Sequence, residues 1–233
     1  MITLAIDSTA KLASVAVLED DRPLAYYTVD NGLTQSELLL PMVEDMLKNL
    51  KLTVAEVDLF AVSVGPGSFT GVRIGAALVK GLAFGRERGV VEVSTLDELA
   101  ENLRGTNGLI VPVMDARRGQ VYTASFHGTS DQLVRLCEDR AISIKELAED
   151  IRNEKAIYLV GDGYGTVKAA LDSMGIKTMH TPLLLRGESA VSVGMVAVRK
   201  YAQGLTVSDK ELKPTYLRMP QAERERLERM NNK

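Results

Sequence analysis

The chain has one cysteine, Cys137, and two histidines, His127 and His180, among 233 residues. A single cysteine excludes an intramolecular disulfide framework and a cysteine-rich zinc ribbon. Two histidines far apart leave little material for a histidine-based metal site or a histidine-dependent triad. Neither has a partner at metal spacing, and both read as structural or surface residues. Neither H-E-x-x-H nor G-x-S-x-G occurs. An excess of charge is missing too. Twenty-eight basic residues face 31 acidic ones, for a net charge of −3. That balance argues against a stand-alone nucleic-acid binder but leaves room for a local basic patch. No apolar run reaches the roughly 18 residues of a membrane span. The nearest, residues 72–84, is broken by Arg73 and Lys80. Asp7 interrupts the first apolar run too early for a secretory segment. A cytoplasmic protein with no membrane segment and no metal is the expectation.

What is present is ordinary for a globular chain: 45% hydrophobic and 25% charged residues. The length suits one sizeable domain or two smaller lobes. Ile2, Leu4 and Ile6 alternate as in a strand and run into the polar turn Asp7-Ser8-Thr9. Residues 13–18 and 24–29 make two more strands, so the sheet has an antiparallel part. A helix follows over 34–50. Its apolar residues spread over about 200° of the wheel, roughly twice the stripe that one core needs. Pro41 inside it predicts a kink or a short first segment. Residues 59–64 read as a buried strand, 70–87 as a helix rich in small residues, and 90–93 as a strand. A helix then starts near Leu96.

The layout restarts after residue 107. Strands are expected over 109–114, 120–126 and 156–160, and helices over 143–153, 166–174 and 190–203. The two halves share the order strand, acidic turn, antiparallel partner, then helices alternating with strands. This weak duplication predicts two α/β lobes with mixed sheets. The first covers 1–105 and the second 106–218, with the last helix free to pack back on the first lobe. Residues 219–233 form a charged tail, read as a solvated helix.

Three motifs sit where chemistry is often found. Gly65-Pro66-Gly67-Ser68-Phe69-Thr70-Gly71 joins a buried strand to a helix start, a place suited to an anion. Its glycines do not match a P-loop or G-x-G-x-x-G, and tight strand-to-helix packing explains them equally. Asp7-Ser8-Thr9 could hold a metal–nucleotide or simply close a hairpin. Asp115 ends another apolar strand, followed by Arg117 and Arg118. Adjacent arginines can clamp phosphate or carboxylate, or form a solvated turn paired to Asp115. Residues alone describe a nucleotide-like architecture without a convincing catalytic set.

Five segments together resemble the TsaB (YeaZ) family. These are Ile6-Asp7-Ser8-Thr9, Ser36-Glu37-Leu38-Leu39-Leu40-Pro41, Gly65 through Gly75, Asp115-Ala116-Arg117-Arg118-Gly119-Gln120-Val121-Tyr122, and Tyr216-Leu217-Arg218. Gln35 departs from the pattern, in a slot that the family fills with histidine. The resemblance implies a two-lobed actin-like (ASKHA, RNase H-like) fold. It also implies a role in making N6-threonylcarbamoyladenosine in tRNAs that read ANN codons. Its implied partners are TsaD, which carries the chemistry, the ATPase TsaE, tRNA through the complex, and a second copy when TsaD is absent.

On that reading the chain is a non-catalytic scaffold that activates TsaD. Asp7, Ser8, Thr9, Asp115, Gly161 and Gly163 outline a vestigial nucleotide cleft with no obligatory cofactor and at most weak nucleotide binding. Arg117 and Arg118 crowd the turn after Asp115, and no His-x-x-x-His pair exists. The wide apolar helix gains a use: Leu38, Leu39, Met42, Val43 and Met46 are expected at the partner interface. Phe69, Arg73, Ala76, Ala77 and Lys80 of the next helix are expected with them. The alternative is that the rest of the chain covers that face. A nucleotide hydrolase or kinase and a glycoprotease-like peptidase are the competing functions.

Overall fold

A computed structural model describes residues 1–86 and 88–218; the expected tail helix lies outside them. The first sheet contains β1 (Ile2–Asp7), β2 (Ala13–Glu19), β3 (Arg22–Val29), β4 (Leu59–Ser63) and β5 (Gly89–Val93), in the order β3-β2-β1-β4-β5. β1 to β3 are antiparallel, and β4 and β5 add in parallel beside β1. β1, β2 and β4 are almost wholly buried, so side chains on both faces must be covered.

On one face lie α1 (Gln35–Leu50) and α2 (Phe69–Ala83). Leu39, Met42, Val43, Met46 and Leu47 of α1 are buried in that core with Leu4, Val15, Phe60 and Val79. They follow i, i+3, i+4, i+7, i+8, the spacing of one helix stripe. α1 is a single helix through Pro41, without the separate short segment the proline predicted. Pro41 is exposed, so the Glu37 carbonyl it leaves unbonded opens to water. The Thr34 N–H and hydroxyl donate to the Glu37 carboxylate at the helix start, at 2.8 and 2.6 Å.

The second sheet is built around β6 (Gly108–Asp115). β7 (Gln120–Thr123) and β8 (Phe126–Gly128) pair successively along one edge, and β11 (Ile157–Val160) runs parallel on the other. The strand expected over 120–126 is therefore two strands, broken at Ala124-Ser125. β9 (Leu133–Arg135) and β10 (Arg140–Ser143) extend β8 and β7. α4 (Ile144–Ile151) and α5 (Tyr164–Ser173) pack on one face.

α3 (Thr95–Glu101) packs on the other face through Leu96, Leu99 and Ala100. α6 (Ala190–Ala202) crosses back to the first sheet, where Ala190, Val193, Val196 and Ala197 meet Ala5, Ala16, Leu18 and Val91. The following strap continues over the first lobe. Val207 bridges Val90, Leu212 is buried, and the Thr215 N–H donates to the Val64 carbonyl at 2.8 Å. No helix among the described residues is long and apolar enough to cross a membrane.

Candidate functional site

The carboxyl ends of β1 and β6 face each other across a cleft between the lobes. At the first lobe's side the Ser8-Thr9 turn presses against the start of α2. The Ser68 N–H donates to the Thr9 carbonyl at 2.6 Å, and the Ser8 hydroxyl donates to the Gly71 carbonyl at 2.9 Å. A Cβ at Gly67 would sit 2.4 Å from the Thr9 oxygen, at Gly71 2.0 Å from the Ser8 carbonyl oxygen, and at Gly75 2.3 Å from Ser8 Oγ. Real Cβ atoms do not approach so closely, so this glycine row exists to let a helix lie on a turn. The helix start that could have received an anion receives the chain's own carbonyl.

Asp7, Ser8 and Thr9 are consequently sealed from solvent. The turn packs under α2: of the expected cleft residues on this side, Thr9 lies in the wall of a cavity, whereas Asp7 and Ser8 are buried behind it. The Thr9 hydroxyl and N–H donate to the Asp7 carboxylate, at 2.8 and 3.2 Å. Burial nevertheless raises Asp7 above the usual carboxylate range. Glu98 of α3 lies beside it, equally buried. Its carboxylate accepts from the Ser63 hydroxyl and, at 2.6 Å, from the Ser189 N–H. Burial and then the charge of Asp7 hold it well above its ordinary value. Glu188, ahead of α6, completes the group. It is 4% exposed, its Oε1 has no hydrogen-bond partner, and burial followed by the Asp7 charge pushes it up to about 8.

Above these carboxyls lies a cavity of about 710 Å³. Asp115, Gly161 and Gly163, three of the expected cleft residues, line it with Lys11, Arg117, Arg186 and Glu188. Gly161 has φ 113°, and a Cβ there would lie 2.3 Å from the Val113 carbonyl oxygen. The glycines therefore bring the α5 start onto β6. Arg186 stacks on the Tyr164 ring at 3.8 Å. A second cavity, of about 400 Å³, adjoins the first through Ala10, Lys11, Asp115, Arg117 and Asp162. Among the described residues, no group of three His, Cys, Asp or Glu side chains is placed to hold a metal ion.

The β6–β7 turn is unusual. Arg117 and Arg118 both have left-handed backbone, φ 65° and 56°, followed by Gly119 at 71°. The Asp115 carboxylate accepts the Arg117 N–H at 2.7 Å and pairs with its guanidinium at 3.2 Å. Arg218 of the strap donates to the Ala116 carbonyl at 2.6 Å.

The expected partner interface divides. Leu39, Met42, Val43, Met46 and Ala76 are buried inside the first lobe, with none above 8% exposure. They are core, because the sheet and α2 together cover that side of α1. Leu38 is half-buried against the same core. Arg73 and Ala77 are exposed on α2, and Phe69 and Lys80 are partly so. Arg73 lies 3.7 Å over the Phe69 ring and donates to the Tyr216 hydroxyl at 2.8 Å, which ties the strap to α2. Sequence reasoning missed Glu98 and Glu188, since nothing local marks a helical or loop glutamate as buried. It also missed the use of Gln35, whose amide donates to the carbonyls of Ala10, Lys11 and Leu12.

A family model described as "TsaD: tRNA N6-adenosine threonylcarbamoyltransferase" matches residues 34–225. The Escherichia coli (strain K12) tRNA threonylcarbamoyladenosine biosynthesis protein TsaB is 32% identical, over 94% of this chain and 95% of its own. Its Bacillus subtilis (strain 168) namesake is 29% identical over 96% of both. Among solved structures, an uncharacterized protein from Pseudomonas aeruginosa with similarity to peptidase YeaZ aligns at TM-score 0.78 and 27% identity. That alignment covers 93% of this chain and 99% of the other. The paired α/β lobes, the match along nearly the whole length and the shared fold agree: this chain belongs to the TsaB (YeaZ) family, within the wider group that the TsaD model describes.

Proposed function

We propose that the chain acts in N6-threonylcarbamoyladenosine synthesis on tRNA as a non-catalytic subunit that stabilises and activates a TsaD-type transferase. One observation carries the non-catalytic part. The glycine-rich junction at α2, where a phosphate would dock, is filled by the Thr9 carbonyl. The opposite turn carries Ala116 and two arginines instead of small residues that would let backbone amides approach a phosphate. A nucleotide-turnover reading needs both turns open. Weak nucleotide binding without turnover keeps one supporting observation, the large cavity at the start of α5. An ATPase assay on the purified chain, with and without the transferase, separates the two.

The docking face for the transferase, or for a second copy in its absence, is assigned to the outer side of α2. Ala77 and Gly81 are exposed there, and Ile74 and Leu78 are half-buried. The small ATPase TsaE joins the complex on this reading, and tRNA is reached through it. Replacing both Ala77 and Gly81, which are exposed, by glutamate is expected to abolish co-purification with the transferase while shifting the melting temperature by only a few degrees. Unchanged co-purification by that folded variant would remove α2 from the interface.

A further inference from the structure

We propose that the β6–β7 turn is an RNA-backbone contact, in which Arg117 and Arg118 reach phosphodiester oxygens of the tRNA beside Lys11, which shares a cavity wall with Arg117. Four non-glycine residues among those described have positive φ. Asp20 closes the β2–β3 hairpin and Lys51 is the C-cap of α1, both places where left-handed backbone is routine. The other two are adjacent arginines. Hairpin turns that need left-handed backbone are served best by Asn or Gly, so arginine is a costly choice at both positions. Packing does not explain it: the Arg117 side chain is 86% exposed and Arg118 is exposed.

The turn is held from three sides while both arginine side chains stay exposed. Asp115 takes the Arg117 N–H, Arg218 takes the Ala116 carbonyl, and Asp162 takes the Asp115 N–H at 3.0 Å. Pre-set arginines reduce the ordering cost of binding. The Asp115–Arg117 pair is solvent-exposed and therefore weak, so a phosphate can displace it. Among the described residues Arg118 has no carboxylate partner. Paired arginines on a rigid tip match phosphate oxygens by geometry and charge. Arg117 also borders the two cavities, but Asp115, Asp162 and Glu188 line them with it and repel a small anion; the exposed side of the turn can meet a polymer whose backbone supplies many contacts. The net charge of −3 limits this to one contact among several in a complex.

The inference rests on the tRNA-modification reading above. Binding of the chain in complex with its TsaD-type transferase to an unmodified ANN-decoding tRNA transcript, measured from 50 to 200 mM salt, tests it. Arg117→Ala/Arg118→Ala should bind at least tenfold more weakly at 100 mM salt. Its dependence of log affinity on log salt should fall by roughly 1 per arginine. Arg22→Ala/Lys48→Ala, which removes equal charge elsewhere, should match wild type. Arg117→Asn/Arg118→Gly relaxes the backbone, so it should melt a few degrees higher yet lose binding. Wild-type affinity and slope in either turn variant overturn the inference, as does an equal loss in the control or a wild type that binds no tRNA at 50 mM. Omitting the chain from a modification assay separates the two claims: modification that proceeds unchanged removes the underlying reading, whereas a turn variant that still binds removes only this inference.

Discussion

Glu188→Gln is expected to leave stability near wild type at pH 5 and to raise it at pH 9. Glu188 is 4% exposed and its carboxyl is pushed from 4.5 up to about 8. A folded carboxyl with a raised pKa keeps a proton that the unfolded chain releases. Its contribution to stability is complete below about pH 4.5 and is lost as pH rises through about 8. That difference corresponds to an upper limit of about 5 kcal/mol across the window. Glutamine keeps the shape and does not titrate. The variant should therefore overtake wild type as pH rises, by at most roughly 10–20 °C in melting temperature for a chain of this size. Asp7 and Glu98 are raised too, so part of the wild-type decline remains in the variant. Thermal unfolding at pH 5, 7 and 9 checks this. Parallel pH profiles for the two proteins would contradict the buried, protonated Glu188.

Gly71→Ala and Gly81→Ala should change stability in opposite directions, although both lie in α2. Alanine is the better helix former by about 1 kcal/mol. Gly81 is exposed, with nothing within 4 Å of an added Cβ, so Gly81→Ala should gain about that amount. At Gly71 the added Cβ would lie 2.0 Å from the Ser8 carbonyl oxygen and near the Ser68 side chain. The neighbour is backbone at the end of β1 and cannot swing aside. The Ser8-Thr9 turn would have to leave the helix, with its hydrogen bonds to Gly71 and Ser68. Gly71→Ala should cost about 3 kcal/mol or more, measured by urea unfolding. A stabilised Gly71→Ala protein would mean that α2 and the turn are not in contact.

The same glycine row shows how far the sequence could be read. Gly65 to Gly75 marked a close approach, but local pattern could not say whether a ligand or the chain itself came close. The first sheet was legible because β1 and β2 are long and bounded by polar turns. The second lobe was less so. β9 and β10 are three and four residues long, too short for alternation to register. The bend at Ala124-Ser125 interrupts β7–β8 without a proline or glycine to announce it. The wide apolar arc of α1 was visible, but its cover was not. Burial of Leu39, Val43 and Met46 depends on α2 and on a sheet assembled from distant segments. Glu98 and Glu188 were illegible for the reason that makes them unusual: a charged side chain reads as solvent-facing unless the fold closes over it.

The central claim is that this chain enables another protein's chemistry and performs none itself. Its most direct test is reconstitution of N6-threonylcarbamoyladenosine on an unmodified ANN-decoding tRNA with a TsaD-type transferase, TsaE and the activated threonylcarbamoyl donor, with and without this chain. The account predicts that modification is lost when the chain is omitted. It also predicts full restoration by Asp7→Asn and Asp115→Asn variants that retain the fold, the result expected of carboxylates outside the catalytic machinery. Modification that proceeds equally well without the chain, or that fails with those folded variants, would contradict it.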